Sequence, residues 1–402
     1  MEVVTMLQAI NMNGTYITLA TMKQEAIIKL RKEGEKFYCP VCKSSVIIKA
    51  GNQIIAHFAH QSNTNCPSRE GGESIYHEQG KLLLYQWLQR HNIDVRLEAY
   101  LQEIKQRPDI LLNVNNKKIA IEYQCARIAA EEIRNRNKGY IAAGIIPIWI
   151  IGANQFTRYN ATSFKLDQFI RQFIHQYSSD TPLMLYYFHP YTFQIATIHD
   201  IFITKNTKAV GKINITSLNQ INFSDLFQFT NFSPEEKLNL WIKEKRHFRL
   251  KPGRNLYGDE LTWRKWLYFK GFHPQNLPSV IHLPVSSQHQ MKTPLWNWQS
   301  KLCLEIIHPL RIGTSFTVES CKHLLKTGIL RSTAFPLINS STHPIEQYLN
   351  ILERLKFIQT ISPGIYQKKR QFPSYKNVEE AIKGDYNLLQ QLFFQKMGKI
   401  QA

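Results

Sequence analysis

The stretch RPDILLNVNNKKIAIEYQCAR, Arg107–Arg127, is typical of two β-strands joined by a turn. Apolar and polar side chains alternate along the second strand, so one face of that strand carries Glu122 and Gln124. The opposite face carries Ile119, Ile121 and Tyr123. Asp109 heads the first strand, and pairing of the two strands brings it toward Glu122 on the same face. The sequence therefore predicts two acids close together in a sheet that should be packing apolar side chains.

Two carboxylates at this separation repel each other unless a cation lies between them. Mg²⁺ is bound in proteins through one or two carboxylates together with water and substrate phosphate. Metal-assisted cleavage of a phosphodiester needs that arrangement, because the metal clamps the scissile phosphate and activates a water. Asp109 and Glu122 are therefore candidate Mg²⁺ ligands. The alternative is a solvated hairpin face with scattered acids, and the pair alone leaves both interpretations open.

The preceding helix, predicted over residues 72–90, carries ionisable side chains on its core-facing side. Glu73, His77 and Lys81 recur every four residues and form one stripe, which continues into leucines. Glu78 falls on the opposite side and is expected to face water. Because buried charges are costly unless paired or bound to a metal, the stripe predicts a site between helix and sheet. A buried ion-pair network without function is the alternative.

Cysteine and histidine residues cluster near the start of the chain and indicate a metal site. Two thiolates on the tight turn Cys39–Cys42 and two ligands from a second loop would complete a tetrahedral zinc site. In a strand, His57 and His60 point to opposite faces, so binding by both is disfavoured. We favour the set Cys39, Cys42, His60 and Cys66, with His57 as the alternate. A structural zinc would stabilise a small module, while a redox motif and ordinary cysteines remain alternatives.

Composition narrows the class of protein. The 402 residues are too many for one ordinary domain, and 43% hydrophobic residues suffice for real cores. Lys and Arg number 50 against 30 Asp and Glu, a net charge of +20 that favours a polyanionic partner, nucleic acid first. A generally basic protein without such a partner is the alternative. With no apolar leader and no run of 18 apolar residues, a soluble, cytoplasmic protein without a membrane span is expected.

Taken in order, these motifs resemble the PD-(D/E)xK nuclease superfamily, in the form found in the competence protein CoiA family. The segments that carry the resemblance are CPVC…HFAHQSNTNC, ESIYHEQGK, RPDILL, IAIEYQCARI and RNKGYIAAGIIPIWIIG, between residues 1 and about 155. The resemblance implies a zinc-finger-like N-terminal region, then a restriction-endonuclease-like αβββαβ core, then a C-terminal region. It also implies an association with natural transformation, acting on incoming DNA after uptake.

The resemblance assigns roles to the acidic cluster. Asp109 and Glu122 would be the metal-binding acids, and Glu73 would be the acid contributed by the first helix. Gln124 stands where many superfamily members have lysine, although CoiA-like sequences commonly have glutamine there. Glutamine cannot supply positive charge to a transition state, so this position leaves catalysis open. Lys81, on the helix stripe with His77, could provide the missing cation from a different backbone position.

Four further residues are candidates for contact with DNA. Arg127, Arg134 and Arg136 could contact phosphates. Tyr140 resembles the tyrosine of the helix that follows the core strands in RecB-like nucleases, where it could orient a phosphate. Further on, the aromatic residues of TWRKWLYFK, residues 262–270, suit single-stranded DNA, although burial in a core is the favoured alternative.

We therefore predict an α/β protein with a zinc-finger-like module at residues 1–70 and a restriction-endonuclease-like core at 71–178. A mainly helical, basic region at 179–402 follows, with a winged-helix-like part at 315–370. The predicted function is that of a Mg²⁺-dependent DNA nuclease or DNA-processing protein of competence and recombination. Its expected partners are DNA, single-stranded rather than double-stranded, and recombination proteins. The alternative is a non-catalytic DNA-binding or recombinase-loading factor on a nuclease fold.

Overall fold

The computed structural model describes residues 5–51, 55–60, 66, 74–251, 256, 258–339 and 342–394. Within these residues the chain forms an N-terminal sheet, a large central sheet with helices, and a mainly helical C-terminal region. The predicted α/β class is confirmed. In this part of the chain, no helix combines the length and apolar character needed to cross a membrane.

The N-terminal module is an antiparallel sheet with one α-helix beside it. Its elements are β1 Thr5–Met6, β2 Gln8–Asn11, β3 Tyr16–Thr18, α1 Gln24–Lys32, β4 Phe37–Tyr38, β5 Ser45–Lys49 and β6 His57–His60. The six strands lie in the order β1-β6-β5-β4-β2-β3. Between β2 and β3 the chain reverses through Gly14, whose φ of +77° is a conformation that glycine adopts at little cost. Strands β4 and β6 lie on either side of β5, and the segments around these strands carry the cysteines and histidines.

The central sheet has eight strands, in the order β11-β14-β13-β12-β10-β9-β8-β7. Its elements are α2 Ile75–Gln89, β7 Asp94–Leu97, β8 Ile110–Val114, β9 Lys117–Gln124, α3 Ala130–Ala142, β10 Ile146–Gly152, β11 Ser163–Lys165, β12 Leu185–His189, β13 Gln194–Lys205 and β14 Lys208–Ser217. From α2 to β10 this is the predicted αβββαβ order. Strand β9 pairs antiparallel with β8, Ile121 opposite Ile110, and parallel with β10.

Helix α2 begins at an N-cap, where the Ser74 hydroxyl accepts a hydrogen bond from the His77 amide at 3.2 Å. The helix lies unusually close to the sheet, because a Cβ on Gly80 would fall 2.1 Å from the Tyr123 ring. This approach delivers His77 and Lys81 to the sheet. The prediction that Glu78 faces water is wrong, since its side chain is buried. The core beside α2 also contains Leu7 of the N-terminal module, a packing partner that a one-sided helical pattern does not anticipate.

The predicted end of the nuclease core, residue 178, falls between two strands of this same sheet. Strand β11 ends at Lys165 and β12 begins at Leu185, and both belong to the eight-stranded sheet. Parallel pairing of β12 with β10 joins the later strands directly to the αβββαβ unit. The division of the chain at 70 and 178 stays a prediction.

The region after residue 234 is mainly helical. Its elements are α4 Pro234–Leu250, α5 Gly258–Phe269, α6 Leu295–Leu302 with a π-helical turn at Cys303–Ile307, β15 Ser315–Thr317, α7 Val318–Leu324, α8 Pro344–Arg354, β16 Ile358–Ser362, β17 Ile365–Lys368 and α9 Val378–Phe394. Within residues 315–370 a three-stranded sheet forms in the order β15-β17-β16, with β15 before α7 in the chain and β16 and β17 after α8. The winged-helix-like character of this part stays a prediction.

Helices α4 and α9 are joined by a buried charge network. The Arg249 guanidinium donates to both carboxylate oxygens of Asp385, at 2.5 and 2.7 Å. The Lys245 ammonium lies 3.3 Å from the same carboxylate. All three side chains are at most 5% exposed, so Asp385 neutralises two cations that would otherwise be costly to bury.

Candidate active site and metal centre

The Glu122 carboxylate is held by two residues of helix α3. The Arg136 guanidinium donates to both carboxylate oxygens, at 2.7 and 2.8 Å, and the Tyr140 hydroxyl donates to one of them. Arg136 and Tyr140 lie four residues apart and therefore project from the same side of the helix. Arg136, one of the predicted phosphate contacts, is thus paired with an acid, and Tyr140 also contacts that acid.

Burial makes the charge on Glu122 costly. The side chain is almost completely buried, and burial raises the pKa of its carboxyl to about 7. The positive charge of Arg136 works in the opposite direction, while the negative charge of Asp109 adds to the rise. The hydroxyl pKa of Tyr140 is raised as well, first by burial and then by the Glu122 charge. The two predicted acids therefore sense each other electrostatically.

Asp109 is bound by residues of helix α2 and strand β9. One carboxylate oxygen accepts a hydrogen bond from the Tyr123 amide at 2.8 Å and lies 3.4 Å from His77 Nε2. The His77 ring is stacked on the Tyr123 ring, with 5.6 Å between centroids. The other oxygen of Asp109 lies 3.9 Å from Lys81 Nζ. His77 and Lys81 of the helix stripe therefore lie beside Asp109 at the head of strand β8.

Glu98 is a member of this cluster that sequence reasoning missed. Lys81, which is fully buried, donates to Glu98 at 2.5 Å, a shorter contact than the one it makes with Asp109. The other oxygen of Glu98 accepts from the Leu7 amide at 3.0 Å and lies 3.7 Å from Arg107. Glu98 adopts a φ of +50° directly after β7. No motif and no periodic spacing in the sequence marks Glu98 as a member of the cluster.

Two predicted site residues point their polar groups elsewhere. The Gln124 amide donates to the Ala126 carbonyl at 2.7 Å. Arg127 forms an ion pair with Asp167 and lies over the Phe169 ring, 5.0 Å from its centroid. Neither side chain contacts Asp109 or Glu122 among the described residues, so neither supplies the charge that a lysine would bring to the cluster.

The two remaining candidates for the site are Arg134 and Glu73. Arg134 is half-buried on α3 and forms no ion pair within the part of the chain that the structure describes. Glu73, the acid predicted from the first helix, lies outside the described residues. The acidic cluster is therefore built from Asp109, Glu122 and Glu98.

The donor chemistry of the cluster suits a hard divalent cation. Carboxylate oxygens are the ligands that Mg²⁺ takes in proteins, and Asp109 directly precedes β8, the strand paired with the Glu122 strand β9. A cation would favour the ionised form of Glu122, whose pKa is raised to about 7. It would share the Glu122 carboxylate with Arg136 and Tyr140.

In the N-terminal module, the four predicted zinc ligands lie together. One ligand atom from each of Cys39, Cys42, His60 and Cys66 lies within 4.8 Å of the others. The thiols of Cys39 and Cys66 are 3.8 Å apart, and Cys42 Sγ lies 3.2 Å from His60 Nε2. His57, the alternate, turns its Nδ1 to a backbone carbonyl 2.8 Å away and is not part of this group. The cluster could hold a metal such as zinc.

The thiols of this cluster differ in acidity. Burial raises the pKa of Cys39 to about 12. Burial acts in the same direction on Cys42, but hydrogen bonds from Ser44 and His60 outweigh it and bring the pKa to about 6. A bound metal would favour the thiolate form of both, because thiolates are the ligands and binding releases their protons.

Comparison with known proteins identifies relatives of this chain. Three family models match in order: Competence protein CoiA, N-terminal domain, at residues 19–69; its nuclease-like domain at 73–231; and its C-terminal domain at 237–382. The Competence protein CoiA of Bacillus subtilis (strain 168) is 29% identical over 359 residues, 87% of this chain and 94% of that protein. No solved structure matches the chain significantly. The resemblance seen in the sequence is confirmed, and the chain belongs to the competence protein CoiA family.

Proposed function

We propose that this protein is a Mg²⁺-dependent DNA nuclease, or a DNA-processing protein built on one, acting on incoming DNA in competence and recombination. The observation that supports it best is the pair of buried acids Asp109, at the head of β8, and Glu122, on the neighbouring strand β9. Each is held by a different helix, Asp109 by α2 and Glu122 by α3. Membership of the CoiA family and the match to its nuclease-like domain support a role in competence and binding to nucleic acid.

In this proposal Asp109 and Glu122 hold the cation. When bound, a divalent cation would neutralise phosphate charge and activate a water for attack. The Lys81 ammonium neutralises Glu98 and contributes positive charge 3.9 Å from Asp109, where Gln124 cannot. His77 Nε2 lies 3.4 Å from the Asp109 carboxylate, close enough to exchange a proton with it. Arg136 and Tyr140 orient Glu122 through their hydrogen bonds.

The test is incubation of the purified protein with single-stranded and double-stranded DNA, with and without Mg²⁺ or Mn²⁺. Cleavage that appears only with the metal is the expected result. We expect single-stranded DNA to be the preferred substrate, the form proposed for incoming DNA. The exposed aromatic residues Tyr268 and Phe269 of α5 could stack on its unpaired bases. Binding without cleavage under any divalent metal would contradict the nuclease proposal.

We also propose that the N-terminal cluster holds one structural zinc. Three cysteines and one histidine are a common ligand set for a structural zinc, with no position left for a catalytic water. The core of this module is small, so the metal would contribute much of its stability.

We also propose that the protein acts in the cytoplasm and that its partners are DNA and recombination proteins.

DNA binding should weaken steeply as salt rises. A chain of net charge +20 that contacts several phosphates releases bound counterions, so the logarithm of affinity falls linearly with the logarithm of salt concentration. With six phosphate contacts, we expect a loss of about 10³-fold between 50 and 200 mM salt. Fluorescence anisotropy of a labelled oligonucleotide measures it. Affinity that stays constant over this range would count against nucleic acid as the partner.

A second candidate function is a non-catalytic DNA-binding or recombinase-loading factor. The observation that favours it is the complete engagement of the Glu122 carboxylate by Arg136 and Tyr140. A buried ion pair of this kind can be purely structural. The Gln124 amide donates to the Ala126 carbonyl and contributes no charge to the cluster, which also fits a non-catalytic protein.

Replacing Arg136 separates a structural ion pair from a catalytic acid. We expect Arg136→Met to lower the free energy of unfolding by about 3 kcal/mol, because Glu122 would stay buried without its cation. Arg136→Met with Glu122→Gln should recover most of that loss. The matched control is Arg134→Met on the same helix, which should change stability by no more than about 0.5 kcal/mol. Urea denaturation measures all three.

The stabilised double variant then discriminates between the two functions. If the double variant supports transformation at the same frequency as the parent protein, Glu122 is structural, and this result supports the loading-factor function. If it folds and binds DNA but has lost both cleavage and transformation, Glu122 belongs to the chemistry.

A further inference from the structure

A cavity of about 560 Å³ lies far along the chain from the acidic cluster, where the β13–β14 turn meets the C-terminal helices. Its walls come from that turn, from α4 and α5, from the loop at His282 and from the start of α6. Cavities of this size hold small molecules of nucleotide dimensions. None of the residues predicted for the acidic cluster or the zinc site lines it, whereas Trp263 of the stretch TWRKWLYFK does.

Three residues that line this cavity, Glu244, Arg264 and His282, carry buried polar atoms without partners in the described part of the chain. Both ring nitrogens of His282 lack a hydrogen-bond partner among the described residues, although the residue is 1% exposed. Glu244 Oε2 and Arg264 Nε are buried and unpartnered in the same way. Buried polar groups in folded proteins are nearly always bonded, so this concentration of donors and acceptors requires an explanation. His282 also has a φ of +67°, a strained conformation for a non-glycine residue.

Aromatic side chains form another part of the wall. The rings of Trp263 and Trp296 lie 4.3 Å apart, and the Phe248 ring is stacked on Trp296 with 6.5 Å between centroids. The Phe248 ring also contacts His282 edge-on at 5.0 Å. Flat aromatic surfaces beside hydrogen-bonding groups suit a nucleobase, which has a π-face and a polar edge.

Positive charge is concentrated on the side of the β13–β14 turn. Burial lowers the pKa of Lys205, and the nearby cations Lys208 and Lys251 lower it further, against the opposing effect of Glu244. Lys208 is paired with Glu244 at 2.6 Å, and Lys251 is paired with Glu260. Lys205 has no ion pair within the described ranges. A phosphate bound beside Lys205 would give this lysine a counter-charge.

We propose that this cavity binds an unpaired nucleotide. Its base would lie against Trp263, Trp296 and Phe248, its polar edge would bond to Glu244, Arg264 and His282, and its phosphate would pair with Lys205. Acids also line the cavity, so a bare anion such as inorganic phosphate fits less well than a base that both donates and accepts hydrogen bonds. The nucleotide is either an unstacked base of single-stranded DNA or a free nucleotide.

Tryptophan fluorescence tests the proposal on the full-length protein. Each of the four deoxynucleoside monophosphates, a short single-stranded oligonucleotide and inorganic phosphate are titrated separately. Nucleotides should quench the fluorescence saturably, because two tryptophans line the site, whereas phosphate should not. Quenching by the oligonucleotide alone identifies DNA as the source, and quenching by both identifies any nucleotide.

Two variants and a matched control locate the binding. Arg264→Gln and Glu244→Gln should each weaken the quench at least about 10-fold, since each removes a charged hydrogen-bond partner. Lys265→Gln, one residue further on α5 and outside the cavity, should bind like the parent. Because Glu244 is buried, a melting curve accompanies each variant, and Arg264→Gln decides if Glu244→Gln fails to fold.

Two results would overturn the proposal. The first is a parent protein that gives no saturable quench with any mononucleotide or with the oligonucleotide. The second is equal binding by Arg264→Gln and Lys265→Gln. Asp109→Asn should keep the quench in full, so failure of the nuclease proposal and failure of this one are distinguishable.

Discussion

Asp109→Asn is expected to lower metal-dependent DNA cleavage by more than about 100-fold while leaving DNA binding intact. Loss of groups that merely orient a metal ligand costs 10–100-fold, so loss of a ligand itself should cost more. Asparagine keeps an oxygen for the Tyr123 amide, which now donates to Asp109 at 2.8 Å, so the fold should survive. A gel assay of labelled DNA with Mg²⁺ measures cleavage, and anisotropy measures binding.

The control for this substitution is Asp94→Asn, on the exposed side of β7. It should leave cleavage unchanged. Glu122→Gln should match Asp109→Asn, and the double variant should be hardly worse than either one, because residues that act through one metal behave as a unit. Multiplicative losses in the double variant would argue that the two acids do not share a cation.

Cys39→Ser is expected to remove the zinc and unfold the N-terminal module. Structural zinc contributes on the order of 10 kcal/mol to the folding of small zinc domains, far more than the core of such a module can replace. Elemental analysis should find one zinc per chain in the parent and much less in the variant. Limited proteolysis should then cut the variant within residues 1–70. The substitution should lower the stability and solubility of the protein more than its specific activity.

The matched control is Cys321→Ser, a buried cysteine of α7 outside the cluster. Because its thiol is no part of the metal group, the variant should keep its zinc, even if the buried hydroxyl costs about 1–3 kcal/mol. A parent protein that contains no stoichiometric metal would refute the zinc site. Equal zinc loss in both variants would show that unfolding, and not ligand removal, released it.

The hairpin at the centre of the fold could be predicted because strand alternation has a strict period of two. Once Ile121 was assigned to the core, Glu122 had to face the other way, and β8–β9 pairing brought Asp109 to it. The order of elements from α2 to β10 followed from the same kind of pattern. Spacing along a helix likewise sufficed to bring His77 and Lys81 to the sheet.

The partners of these residues could not be predicted in the same way. Arg136 was expected to contact phosphate, yet it binds Glu122, because its long side chain on α3 reaches a carboxylate on the preceding strand β9. Lys81 pairs more closely with Glu98, which no periodic pattern connects to it. Such pairings depend on loop geometry, which a local pattern does not contain.

The aromatic residues of α5 illustrate the same limit. The sequence left open whether they form a core or a surface for DNA, and the helix contains both. Trp263 is 2% exposed and packs in the core, whereas Phe269 is 84% exposed. Helical spacing indicates which residues share a face, but not which neighbouring elements will cover that face.

The charge network between α4 and α9 has a consequence for the order of folding. Asp385 is synthesised 136 residues after Arg249, the cation that it neutralises. The N-terminal and central sheets can form while the ribosome is still translating, because their strands pair with neighbours already made. Helix α4 cannot bury Arg249 and Lys245 with their counter-charge until α9 has been translated. The C-terminal region therefore completes its folding late, and a translating ribosome that stalls before residue 385 would leave those two cations without their anion.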